Sequence, residues 1–60
     1  MKLTRLKTVM EAAGIRSEDL AAKTGLSINT IQKAKGGKDV SGSTQTSIAN
    51  QLKVKKDELL

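Results

Sequence analysis

Asn29 and Lys33 stand four residues apart, so on a helix a carboxamide and an ammonium lie one turn apart on a single face. Ile28, Gln32 and Lys35 share that outward side once Ile31 and Ala34 are taken as the inward positions of the same helix. The chemistry open to such a face is noncovalent. An amide donates and accepts hydrogen bonds, an ammonium donates and carries charge, and an isoleucine offers apolar contact. Covalent and metal chemistry is poorly provided for: with no cysteine and no histidine there is no thiolate or imidazole to activate a nucleophile, and no usual zinc ligand set. Six carboxylates remain, on a chain of 60 residues too short to enclose a pocket of the usual few hundred Å³. Neither an enzyme nor a bound cofactor nor a small-molecule substrate is expected.

Charge narrows the partner. Eleven bases against six acids leave +5, with a pI near 9.9, the electrostatic footprint of a small nucleic-acid binder. Lys33, Lys35 and Lys38 fall together around the end of the same helix, and Lys35 and Lys38 suit phosphate better than base because the backbone would pass the helix end. The apolar runs are too short for a membrane span, and the N-terminus lacks the organisation of a signal peptide, so a cytosolic protein is expected.

The elements that must position this face are read from caps, glycines and periodicity, since there is no proline and no internal repeat. Sixty residues allow one domain, 1–60, and without Phe, Tyr or Trp its core must be built from Leu, Ile, Val, Met and Ala. Five helices are expected. Thr4 caps a first in which Leu6, Val9, Met10 and Ala13 form the core face, and Gly14 stops it. Ser17 caps a second, with Glu18 and Asp19 in its first turn and Leu20, Ala21 and Thr24 inward. Gly25 makes a tight turn, Leu26 fills the space between helices, and Ser27 caps the third, which Gly36-Gly37 ends. Two short helices joined by such a turn are the layout that delivers a helix into the major groove of DNA.

The stretch from Lys38 to Ser47 is polar and the least committed. A fourth helix from Ser43 or Thr44 would turn Ile48, Ala49 and Leu52 inward, and a short fifth around Asp57 and Glu58 would close the core with Val54, Leu59 and Leu60. A β-hairpin stays open as the alternative, because Lys53-Val54-Lys55 alternates like a strand.

Leu6, Leu20-Ala21, Gly25-Leu26, Ile31, Gly37, the run Ile48-Ala49-Asn50-Gln51-Leu52, Val54 and the ending Asp57-Glu58-Leu59-Leu60 follow in an order and spacing that resembles the phage Cro and repressor DNA-binding domains, the Cro/C1-type helix-turn-helix family. The resemblance covers nearly the whole chain. It implies an all-α, five-helix, lambda-repressor-like fold, with an α+β Cro carrying a C-terminal hairpin as the alternative. It also implies that Ile28, Asn29 and Lys33 meet base edges and that Ser17, at the start of the second helix, touches phosphate. With the lysines beside the helix end, the phosphate set becomes Arg16, Ser17, Gln32, Lys35 and Lys38.

Three departures matter. Arg16 and Ser17 stand where many members carry a polar cap and then Gln, which hands the phosphate clamp to Arg16. Gln45 stands where a buried leucine is common. Ile28 replaces a frequent Gln, so that position reads only a thymine methyl or a shape.

The expectation is a sequence-specific, double-stranded DNA-binding transcriptional regulator, a Cro-like phage or prophage repressor that binds palindromic operator DNA as a homodimer formed on the DNA, the free protein being monomeric or weakly dimeric. Val54, Leu59, Leu60 and the loop ahead of the fourth helix are the expected interface. The alternative is an antitoxin or small helical protein-interaction module of the same fold. A fragment cut from a longer repressor would read the same way.

Overall fold

A computed structural model describes all residues, 1–60. It contains four α-helices, α1 (Leu6–Ala13), α2 (Ser17–Thr24), α3 (Ile28–Lys35) and α4 (Gly42–Leu52), followed by a single 3-10 turn, Lys56–Leu59. There is no strand, only an isolated antiparallel bridge between Lys2 and Asp39. The all-α class therefore holds, while the fifth α-helix does not form. Four residues from Lys56 complete one tight turn, held by the Lys55 N–H donating to the Glu58 carboxylate at 2.8 Å.

The C-terminal hairpin does not form either. Lys53 takes a left-handed conformation, φ +57°, at the end of α4, and the Val54 N–H returns to the Ala49 carbonyl at 3.1 Å. The helix end thus captures the donors a strand would have offered.

Caps account for the other helix boundaries. Ser27 Oγ accepts from the Thr30 N–H at 3.2 Å, as its position predicts. Ser41 does the same for Thr44, also at 3.2 Å, which is why α4 begins at Gly42 rather than at Ser43 or Thr44. Two expected caps are corrected. The residue before α1 is Arg5, which makes no side-chain cap bond; the Thr4 hydroxyl is drawn off instead to the Leu60 carbonyl at 2.5 Å. The residue before α2 is Arg16, also without a side-chain cap bond, and Ser17 is already helical. Between α2 and α3, Gly25 sits at φ +75°, a left-handed conformation that a side chain would strain.

The core gathers Leu3, Leu6, Met10, Leu20, Ile31, Ala34, Ile48, Ala49, Leu52 and Leu59, with Val9, Ile15, Ala21, Leu26, Val40 and Val54 packed around it. Ala13, expected on the core face of α1, is exposed, because α1 ends there at Gly14 before any neighbour covers that turn. Leu3 takes the inward place from outside the helix. Leu60 stays 41% exposed whereas Leu59 is fully buried. Leu59 is therefore core and unavailable to a dimer interface. Gln45 is also fully buried, and neither atom of its side-chain amide finds a protein partner. No helix is long and apolar enough to cross a membrane.

Candidate nucleic-acid interface

The position of α3 is set from its buried side. Ile31 and Ala34 are fully covered, and α3 packs against α2 and, more lightly, α1. That orientation leaves Ile28, Asn29, Gln32 and Lys33 exposed on the opposite side. The Ser27 hydroxyl, shared with Thr30 Oγ1 at 2.9 Å, secures the first turn on which Ile28 and Asn29 ride.

Lys38 joins them from outside the helix. Beyond Lys35 the chain turns sharply through Gly37, at φ +77°, and the Lys38 N–H comes back to the Lys33 carbonyl at 3.0 Å. The next residues are held from the other end of the chain: Val40 and Met1 exchange two backbone bonds, 2.8 Å from the Val40 N–H and 2.6 Å from the Met1 amine. The Met1 amine also pairs with the Asp39 carboxylate and holds it below the ordinary carboxylate range.

The outcome is an open bay of about 390 Å³ lined by Asn29, Gln32, Lys33 and Lys38, with no apolar side chain in its wall. Two ammoniums and two carboxamides face solvent together, and no acid is among them. A bay of this kind offers donors and positive charge to an anionic surface carrying hydrogen-bond acceptors. It offers little to an apolar ligand. No group of three or more acidic side chains is gathered to hold a metal ion.

Ile28, 40% exposed, is one of three large apolar side chains left open, with Met1 and Leu60. Arg16 is exposed at the start of α2. Ser17 and Lys35, expected as separate outward groups, are brought together instead. Ser17 is only 5% exposed, Lys35 is half-buried, and the Lys35 ammonium donates to Ser17 Oγ at 2.9 Å. Sequence reasoning missed this bond because the two residues are 18 apart and lie on different helices. It placed Lys38 near the helix end but not in the same bay as Asn29; the Gly36-Gly37 pair was the available signal of a sharp return.

A family model for the Cro/C1-type helix-turn-helix DNA-binding domain matches residues 5–60. No curated protein and no solved structure matches the chain.

Proposed function

Since the chain belongs to the Cro/C1-type helix-turn-helix DNA-binding domains, we propose that it is a sequence-specific regulator of transcription that reads duplex DNA with α3 and works, like a Cro-type repressor, by occupying an operator that polymerase must use. The observation that carries this reading is the convergence of Asn29, Gln32, Lys33 and Lys38 on one polar bay beside the exposed Ile28. A major groove about 12 Å wide admits a helix, and its floor presents acceptors, donors and thymine methyls in patterns that distinguish all four base pairs.

The side chains suggest their own partners. Asn29 has the geometry for adenine, Lys33 for the acceptors of guanine, and Ile28 for a thymine methyl. Arg16, Gln32, Lys35 and Lys38 then serve the phosphates on either side, fixing register without reading sequence. No cofactor enters this scheme, and its natural setting is the cytoplasm, where the DNA is.

Size argues for two copies. The folded chain measures 21 × 21 × 18 Å, whereas successive major-groove faces of one side of the duplex lie about 34 Å apart. One copy reaches one half-site; a palindrome needs a pair. The exposed Leu60, the half-buried Val54 and the loop ahead of α4 are the surface proposed to join them.

The test is selection of bound duplexes from a random pool, with sedimentation of the resulting complex. An enriched palindrome with half-sites one turn apart and two protomers per duplex is expected. No enrichment, or one protomer on a full site, would overturn the reading.

A further inference from the structure

The Ser17–Lys35 bond assigns the serine a different task from direct contact with DNA. We propose that Ser17 is a positioning residue: its buried hydroxyl holds the Lys35 ammonium at the start of α2, where that ammonium meets a backbone phosphate, and Ser17 itself touches no phosphate. The inference rests on the DNA-binding reading above.

Three observations carry it. First, Ser17 accepts from the Lys35 ammonium at 2.9 Å and is only 5% exposed; its own O–H donor stays free, and it is burial that keeps a phosphate from reaching it. Second, Lys35 has no carboxylate partner, because the chain's one ion pair joins the amino terminus to Asp39. Its ammonium makes a single hydrogen bond to a neutral oxygen and has two further N–H donors to offer. Third, the ammonium sits against the first residue of α2, the positive end of that helix, where the N-cap Arg16 makes no side-chain cap bond. Glu18 and Asp19 in the first turn of α2 complement that helix end, but neither forms an ion pair with the Lys35 ammonium, whose free donors are left for an incoming anion.

The physical role of the serine is entropic. A lysine on a solvent-exposed stem loses several rotatable bonds when it grips a phosphate, and that loss weakens binding. Lys35 is restrained beforehand, with its stem half-buried across the α2–α3 junction and its head tethered. The tether also ties α3, which carries the base-reading face, to the residue that starts α2.

The experiment measures binding to the selected duplex and to random duplex for the wild type, Ser17→Ala, Ser17→Thr, Lys35→Met and the Ser17→Ala/Lys35→Met pair, each at matched folded fraction. The expected result is that Lys35→Met weakens both duplexes alike and makes the salt slope on the palindromic duplex shallower by about 1.8, one phosphate contact from each of two protomers. Ser17→Ala weakens both about three- to tenfold, Ser17→Thr restores binding, and Ser17→Ala adds nothing once Lys35 is gone. In the free protein, relaxation of the Lys35 side-chain carbons reports greater disorder in Ser17→Ala.

An undiminished loss from Ser17→Ala in the Lys35→Met background would overturn the proposal, since the serine would then act on its own. So would an unchanged Lys35 mobility in Ser17→Ala. If Lys35→Met leaves affinity and salt slope untouched while the wild type still selects a site, the lysine role fails and the DNA-binding reading stands. If the wild type selects no duplex, the DNA-binding reading fails first.

Discussion

α3, packed on α2, and α4 start from the same cap chemistry and end in opposite states of polar satisfaction. Ser27 and Ser41 each accept the N–H three residues on at 3.2 Å, and each hydroxyl also bonds a threonine hydroxyl, Thr30 at 2.9 Å and Thr44 at 3.0 Å. Beyond the cap they diverge. In α3 the inward positions are Ile31 and Ala34, and every long polar side chain is left facing solvent or, for Lys35, a hydroxyl. In α4 the first inward position is Gln45, fully buried with neither amide atom partnered by protein. The polar groups of one region are available to a ligand. The buried amide of the other is a cost to the fold, because desolvation without a compensating bond opposes folding. A functional face and a merely polar sequence are thus distinguished by where the fold directs the polar atoms.

The strongest way to break the α2–α3 region is through its anchor. Ile31→Ala should remove about 2–5 kcal/mol, a large share of the stability of a domain this small, and abolish DNA binding through unfolding. Urea denaturation read by circular dichroism checks it; a loss well under 1 kcal/mol would mean that α3 is held elsewhere.

In α4 the corresponding change should stabilise. Gln45→Met keeps an unbranched side chain of similar length and removes the unpaired amide, so the urea midpoint should rise by the equivalent of about 1–3 kcal/mol, with affinity for DNA unchanged. A lower midpoint would show that the amide is bonded in solution.

Exposed asparagines sharpen the contrast further. Asn29→Ala on α3 should cost about 1–3 kcal/mol on the selected duplex and little on random DNA, whereas Asn50→Ala on α4 should cost nothing on either. Equal loss on both duplexes would remove Asn29 from base reading. Titrating with salt separates the charge term: six phosphates neutralised by a pair of protomers give a slope of log K near −5.

The two caps should behave alike in stability and unlike in binding. Ser27→Ala and Ser41→Ala should each lower stability by about 1 kcal/mol, but only Ser27→Ala should also weaken base-specific binding, because Ile28 and Asn29 ride on the turn it secures. Matched binding losses in both variants would dissolve the distinction between the regions.

The smallest effect concerns the loop that carries Lys38. The amino terminus beside Asp39 lowers that carboxyl in the folded state, so its contribution is present above the ordinary carboxylate range and is lost as pH falls below about 4. Both partners are largely exposed, and the effect should be slight. An acid titration of the wild type against Asp39→Asn checks it: the variant should show a shallower acid limb, and identical limbs would leave the pair without influence.

Much of this molecule follows from local rules. Gly14, Gly25 and the Gly36-Gly37 pair mark where α1, α2 and α3 end, Ser27 marks where α3 begins, and the three-and-four spacing of Leu6 and Met10, Ile31 and Ala34, and Ile48, Ala49 and Leu52 names most of the core. These features act within one or two turns of chain, so residue types and intervals suffice to place them. The outward set Ile28, Asn29, Gln32 and Lys33 follows from the same periodicity, since fixing the inward positions of a helix fixes the outward ones.

What the intervals could not decide is which neighbour covers each exposed angle. Leu3 is buried and Ala13 is not, because coverage depends on where other segments lie. Thr4 leaves its expected cap for the Leu60 carbonyl 56 residues away, and Ser17 gives its hydroxyl to Lys35 across the helix junction. Asp57 and Glu58 form a 3-10 turn rather than a helix, their segment ending within four residues against the chain's beginning, where the Arg5 N–H donates to the Leu59 carbonyl at 2.9 Å. Lys38 enters the bay through the return at Gly37, beyond which Met1 holds Asp39 and Val40 from the other end of the chain. Periodicity defines a direction around a single helix axis; packing between axes decides what stands in that direction, and that decision belonged to the tertiary structure alone.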